Sequence, residues 1–111
     1  MSSIGIYGSL GRMGAAIRDI LAEQGVKFAG GADAGDDPAM VAQAADALVD
    51  FSTPAALESH LAAARAAGTP IVIGTTGLTT QHHALIDDAA RDIAVLQTGN
   101  TSLGVVLLAR L

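Results

Sequence analysis

A doubly wound parallel α/β sheet, about five strands with helices on both faces, is the fold that this 111-residue sequence predicts, on three observations. Short apolar runs alternate with helical patterns along the whole chain. Half the residues are apolar but only three are aromatic, a composition that suits small side chains packing helices onto a buried parallel sheet. The first apolar run also leads directly into glycines at Gly8, Gly11 and Gly14 and then into a helical pattern. That is the strand–turn–helix setting in which a glycine-rich loop can approach a pyrophosphate.

The elements follow in order. Strand-like runs fall at 4–7, 26–30, 47–51, 70–74 and 93–97. Met13, Ile17, Ile20 and Leu21 are spaced as one face of a first helix. A weaker helix is predicted over 36–46, with Pro38 near its start and Met40 and Val41 inside. Leu57, Leu61 and Ala64 mark the buried side of a third helix, with Thr53 as its N-cap and Pro54 at its first position. Gly25 and Gly68 stand where helix C-caps belong, each just before a strand. A fourth helix is expected over 79–91, with Leu85, Ile86 and Ala89 inward. A fifth, apolar and without a cap, opens at 102 and is cut off by the end of the chain. Right-handed crossovers then predict a strand order of 3-2-1-4-5.

Length bounds the organisation to one domain over 1–111, too short for a cofactor domain plus a full substrate domain. A net charge of −5 argues against nucleic acid or an anionic membrane as the main partner. With no cysteine, thiol catalysis, a cysteine-based zinc site and disulfides are excluded. No signal-peptide pattern is present and no apolar run approaches the roughly 18 residues of a spanning helix, so a cytoplasmic protein is expected.

The polar and glycine segments gather at predicted strand ends, where this architecture binds ligands. Gly8 permits a tight turn, Gly11 lets the backbone approach phosphate oxygens, and Gly14 allows close helix–strand packing. Arg12 adds a positive charge. The spacing is G-x-x-G-x-x-G, and a glycine turn serving packing alone would read the same way. Asp33 ends the second strand about twenty residues on, where a carboxylate can accept hydrogen bonds from an adenosine ribose. No arginine stands beside it, which tilts the choice from NADP towards NAD, although Arg12 can also serve a 2′-phosphate. Gly74-Thr75-Thr76-Gly77 and Thr98-Gly99-Asn100-Thr101 offer small and hydroxylated groups to a nicotinamide carboxamide, or caps to the helices that follow. Phe51 and Ser52 would line the same crevice. His82 and His83 read as a solvated helix face, and His60 as surface or edge packing; no metal site and no nucleophile–base pair is legible.

Taken together, Gly8-Ser9-Leu10-Gly11-Arg12-Met13-Gly14, Asp50-Phe51-Ser52-Thr53-Pro54, Gly74-Thr75-Thr76-Gly77 and Asn100-Thr101-Ser102-Leu103-Gly104-Val105 resemble the 4-hydroxy-tetrahydrodipicolinate reductase (dihydrodipicolinate reductase) family. The likeness covers the chain as that family's N-terminal, Rossmann-type cofactor domain. It implies an NADH- or NADPH-dependent reduction of a cyclic lysine-pathway intermediate to tetrahydrodipicolinate. By this resemblance Gly8, Ser9, Leu10, Gly11, Arg12 and Met13 hold the pyrophosphate and Asp33 the ribose. Gly74, Thr75, Thr76, Thr98, Gly99, Asn100 and Thr101 face the nicotinamide end.

The departures are informative. The family commonly has Ala before this Asn, where the chain has Thr98-Gly99, and the segment from Asp33 to Ala47 is short. The family's catalytic H-H-x-x-K run lies in a second domain, together with the substrate contacts and most of a tetramer interface. His82-His83 lacks that lysine and does not inherit the role, so no catalytic residue is expected here. Two other readings share the glycine loop: a dehydrogenase domain acting on aspartate or homoserine, and a non-enzymatic nucleotide-sensing module.

Overall fold

The computed structural model of the chain describes residues 3–8, 11–33 and 36–97. Ser9, Leu10, the segment 98–101 and the predicted helix over 102–111 lie outside the described residues. Among those described, five strands alternate with four α-helices: β1 Ser3–Tyr7, α1 Arg12–Glu23, β2 Lys27–Ala32, α2 Pro38–Ala44, β3 Ala47–Asp50, α3 Leu57–Ala67, β4 Ile71–Ile73, α4 Thr80–Ala89 and β5 Val95–Gln97. A single 3₁₀ turn, Pro54–Ala56, leads into α3. All strand pairings are parallel, giving the doubly wound α/β sheet expected.

The strand order corrects the prediction. It is β2-β1-β3-β4-β5, not 3-2-1-4-5. The side chains explain why. β3 (Ala47-Leu48-Val49-Asp50) is buried at every position, which demands neighbours on both sides. β2 begins with an exposed lysine, carries two glycines, and is only half-buried along most of its length, as suits an edge. Residue 29 is a bulge in β2: Ile4 pairs with Phe28 and Gly5 with Gly30. The strand consequently runs on to Ala32, beyond its predicted end.

Period-two alternation distributes the core to two faces. Ile4, Ile6, Ala47, Val49 and Val72 pack under Ile17 and Leu21 of α1. Tyr7, Leu48, Ile71 and Ile73 face α2, α3 and α4 through Val41, Leu57, Leu61, Ile86 and Ala89. A one-residue slip of any central strand would exchange the two sets, so the register is firmly specified.

The helices follow their predicted faces with three differences. Met13 is about half exposed, and Gly14 instead turns inward with Ile17 and Leu21. Met40 points out of α2 while Val41 is buried. Thr53 is extended before Pro54 but makes no side-chain cap; Asp37 caps α2 by accepting from the Ala39 N–H at 2.9 Å. Gly68 closes α3 in the left-handed region and Gly25 follows α1 in the same conformation, as expected of helix stops. Arg65 of α3 bridges to Asp88 and Asp92 beyond it, and the guanidinium holds the Asp88 carboxyl below its ordinary range.

Candidate functional site

Strand register assembles the site. Ala32, Tyr7, Asp50, Ile73 and Gln97 lie side by side in one row across the sheet. The residues immediately after them, Gly8, Asp33, Phe51 and Gly74, therefore share one edge of the molecule. Backbone bonds carry the ladder one step further: Gly8 N–H donates to Ala32 O (2.8 Å), Phe51 N–H to Tyr7 O (3.0 Å) and Gly74 N–H to Asp50 O (2.9 Å). The topological switch lies between β1 and β3, beneath these loops.

A cleft of about 410 Å³ opens there, with Gly8, Gly11, Asp33, Phe51 and Ser52 in its walls. Gly8 sits at φ +86°, and a Cβ on it would lie 2.8 Å from the Phe51 carbonyl oxygen. Only glycine lets β1 and β3 release their loops so close together. Gly11 is different. It is the N-cap of α1 in ordinary extended geometry, and a Cβ there would meet nothing nearer among the described residues than Gly8 O at 3.6 Å. The start of α1 has no side-chain cap and no acidic residue in its first turn, where Arg12 stands instead. Helix N–H groups in that state favour an anion.

Asp33 lines the same cleft and is bonded to Asp36: its N–H donates to Asp36 Oδ2 at 2.9 Å, and Asp36 N–H donates to Asp33 O at 3.0 Å. Phe51 packs its ring against Gly74 so closely that a Cβ on that glycine would lie 2.1 Å from Phe51 Cε1. Thr75 is half-buried and Thr76 exposed on the adjoining loop, and Arg12 and Met13 are exposed in the first turn of α1. The structure thus brings together Gly8, Gly11, Asp33, Phe51 and Ser52, with Gly74 and Thr75 joined to them through Phe51 and Asp50.

Two residues at the centre went unrecognised in the sequence. Asp50 is fully buried, and its carboxylate accepts from Ser52 N–H (3.0 Å) and Ser52 Oγ (2.6 Å) on Oδ1, while Oδ2 lies 2.8 Å from His60 Nδ1. The Thr75 hydroxyl donates to Asp50 O at 3.2 Å and lies 3.4 Å from Oδ1. These donors make a buried carboxylate affordable. Of the two expectations for His60, surface or edge packing, the surface one is wrong: it is 9% exposed and stacked on Tyr7, with ring centroids 4.1 Å apart. Burial, and then the Asp50 and Asp37 charges, push the Tyr7 phenol above its ordinary range; it stays protonated and donates to Pro38 O at 2.8 Å. The helical spacing held the signal, because His60 lies three residues after Leu57 and four before Ala64, on the face that the aliphatic residues bury.

The remaining histidines behave as local structure. His82 Nδ1 accepts from Thr79 N–H at 2.9 Å and Thr79 Oγ1 accepts from His82 N–H, a reciprocal cap at the start of α4; His83 is exposed.

The sequence that builds this cleft resembles known proteins. The sequence model of the family described as dihydrodipicolinate reductase, N-terminus, matches residues 2–101. The 4-hydroxy-tetrahydrodipicolinate reductase of Zymomonas mobilis is 46% identical over 115 residues, covering 97% of this chain and 45% of that protein. The one from Campylobacter lari is 40% identical over 112 residues, covering 100% of this chain and 46% of its own length. That of Acidiphilium cryptum is 40% identical, with 95% and 42% covered. The chain spans less than half the length of these relatives. With a family match along residues 2–101 and the strand-end loops converging on one cleft, the chain belongs to the dihydrodipicolinate reductase N-terminal family.

Proposed function

We propose that this chain is the NAD(P)H-binding part of a 4-hydroxy-tetrahydrodipicolinate reductase of lysine and diaminopimelate biosynthesis, the activity in the names of its relatives. One observation carries the reading: an uncapped helix start and the residue Asp33 line a single cleft at the switch point of the sheet. The residues present fit a dinucleotide. Gly8 and Gly11 leave room for a pyrophosphate against the first N–H groups of α1, and Arg12 adds charge. Asp33 accepts from the adenosine ribose. Ser9, Leu10 and Met13 belong with Gly8, Gly11 and Arg12 to the pyrophosphate loop, Phe51 and Ser52 line the cleft, and Gly74, Thr75, Thr76, Thr98, Gly99, Asn100 and Thr101 serve the nicotinamide end.

When bound, the cofactor supplies a hydride. The chain's own contribution is to hold and orient it, with the loops fixed from below by the Asp50 carboxylate. Substrate contacts and proton transfer fall to residues outside this chain. Asp33 follows β2 with no arginine beside it in the sequence, which favours NADH over NADPH.

Asp33→Ala tests the assignment. Hydrogen bonds to a charged acceptor are worth about 1.5–3 kcal/mol, so NADH should bind roughly 10- to 100-fold more weakly. NADPH, whose 2′-phosphate cannot use the carboxylate in that way, should lose less. Dissociation constants for both, measured on the variant and its parent, decide the matter; equal losses would remove Asp33 from the ribose site.

A further inference from the structure

We infer that His60 is itself a cofactor-binding residue, held by Asp50 so that its Nε2 offers a lone pair to the adenosine half of the dinucleotide. The inference rests on the cofactor reading above and adds a residue that the glycine loop and Asp33 do not account for. Its basis is the way the two ring nitrogens are used. Nδ1 lies 2.8 Å from Asp50 Oδ2 and 3.2 Å from Ser52 Oγ. Ser52 gives its proton to Asp50 Oδ1 at 2.6 Å, so the hydrogen between imidazole and carboxylate sits on Nδ1. In that tautomer Nε2 is an acceptor.

Nε2 has no hydrogen-bond partner among the described residues, and none of their buried side-chain nitrogens or oxygens is left unpaired. His60 lines the cleft whose wall also contains Asp33 and Gly8, its side chain is 11% exposed, and with Nδ1 taken by Asp50 the ring nitrogen left for the cleft is Nε2. The ring is not free to turn away. Tyr7 covers one face in a near-parallel stack, at an interplanar angle of 18°. Tyr7 is in turn fixed through its hydroxyl to Pro38. An acceptor on a ring held on two sides at the cleft wall is preorganised.

The chemistry it selects is a hydrogen-bond donor. The adenosine half offers two: a ribose hydroxyl and the 6-amino group of adenine. Asp50 is the positioning residue, since it sets the tautomer without reaching the cleft; it is fully buried.

The test is calorimetric titration of the chain and of His60→Asn with ADP-ribose, NADH and the reduced hypoxanthine analogue of NAD, with thermal melting alongside. Asparagine retains a donor for Asp50 but has no atom at the Nε2 position. ADP-ribose and NADH are expected to bind roughly three- to tenfold more weakly, as for one lost hydrogen bond, with the melting midpoint close to the parent's. His60→Gln, whose amide reaches farther, should recover part of the loss. If the variant no longer discriminates between NADH and the hypoxanthine analogue, the donor is the adenine amino group. If discrimination persists, it is the ribose. Unchanged ADP-ribose affinity in His60→Asn would overturn the inference, and so would a loss matched by a fall in melting midpoint and not rescued by glutamine. Failure of the parent to bind NADH at all would overturn the cofactor reading and His60's role with it.

Discussion

Replacing Gly11 with valine is expected to abolish measurable cofactor binding while leaving the fold in place. The position is an extended N-cap at φ −74° that any residue can adopt, and a Cβ would meet only Gly8 O at 3.6 Å. Among the described residues nothing else crowds that Cβ, and Gly11 lines the cleft, so the added side chain would occupy space next to the start of α1. Filling it should displace a pyrophosphate from at least two charge-assisted hydrogen bonds, about 3–6 kcal/mol together, or roughly 100-fold or more in affinity. The fold loses only a favourable N-cap residue, on the order of 1 kcal/mol. Calorimetry for binding and thermal melting for stability check the two halves separately. An unaltered affinity would remove the glycine loop from the site.

Gly8→Ala, three residues earlier in the same loop, should do the reverse and strike the fold first. At φ +86° an alanine incurs left-handed strain of about 1–2 kcal/mol. Its Cβ would also press on backbone: 2.8 Å from Phe51 O, 3.0 Å from Phe51 C and 3.2 Å from Ser52 N. Backbone tied to the end of β1 by the Phe51 N–H bond to Tyr7 O cannot swing aside as a side-chain end can, and such overpacking adds about 1–3 kcal/mol. A total of about 2–5 kcal/mol is a large part of the roughly 5–15 kcal/mol by which ordinary domains are stable. Urea or thermal unfolding of the variant measures it; a midpoint indistinguishable from the parent's would contradict the close approach of β1 and β3. The pair separates a glycine kept for the fold from a glycine kept for a ligand.

Much of this was legible in the sequence, for a simple physical reason. Strand and helix periods, helix stops at Gly25 and Gly68, and the glycine loop after β1 are local properties, readable wherever they occur. Strand order is not local. It depends on which strand can tolerate an edge, and that signal lay in the contrast between the wholly buried Ala47–Asp50 and the glycine-bearing Lys27–Ala32. The misplaced order and the unrecognised Asp50–His60 pair are one error. In a 3-2-1-4-5 sheet β3 lies away from β1, and nothing brings Tyr7 beside Asp50. In the observed order Tyr7 and Asp50 are register partners, and the histidine on the inner face of α3 closes over both. Met13 shows a smaller failure of the same kind. Spacing put it on the face of Ile17 and Leu21, but at the first turn of α1 it is Gly14 that is buried with them.

The central claim is that these strand-end loops form a nicotinamide dinucleotide site, and a calorimetric titration of the chain with NADH and then NADPH tests it most directly. Saturable one-to-one binding, with NADH at least as tight as NADPH, is the predicted result. A folded chain that takes up neither cofactor would contradict the claim.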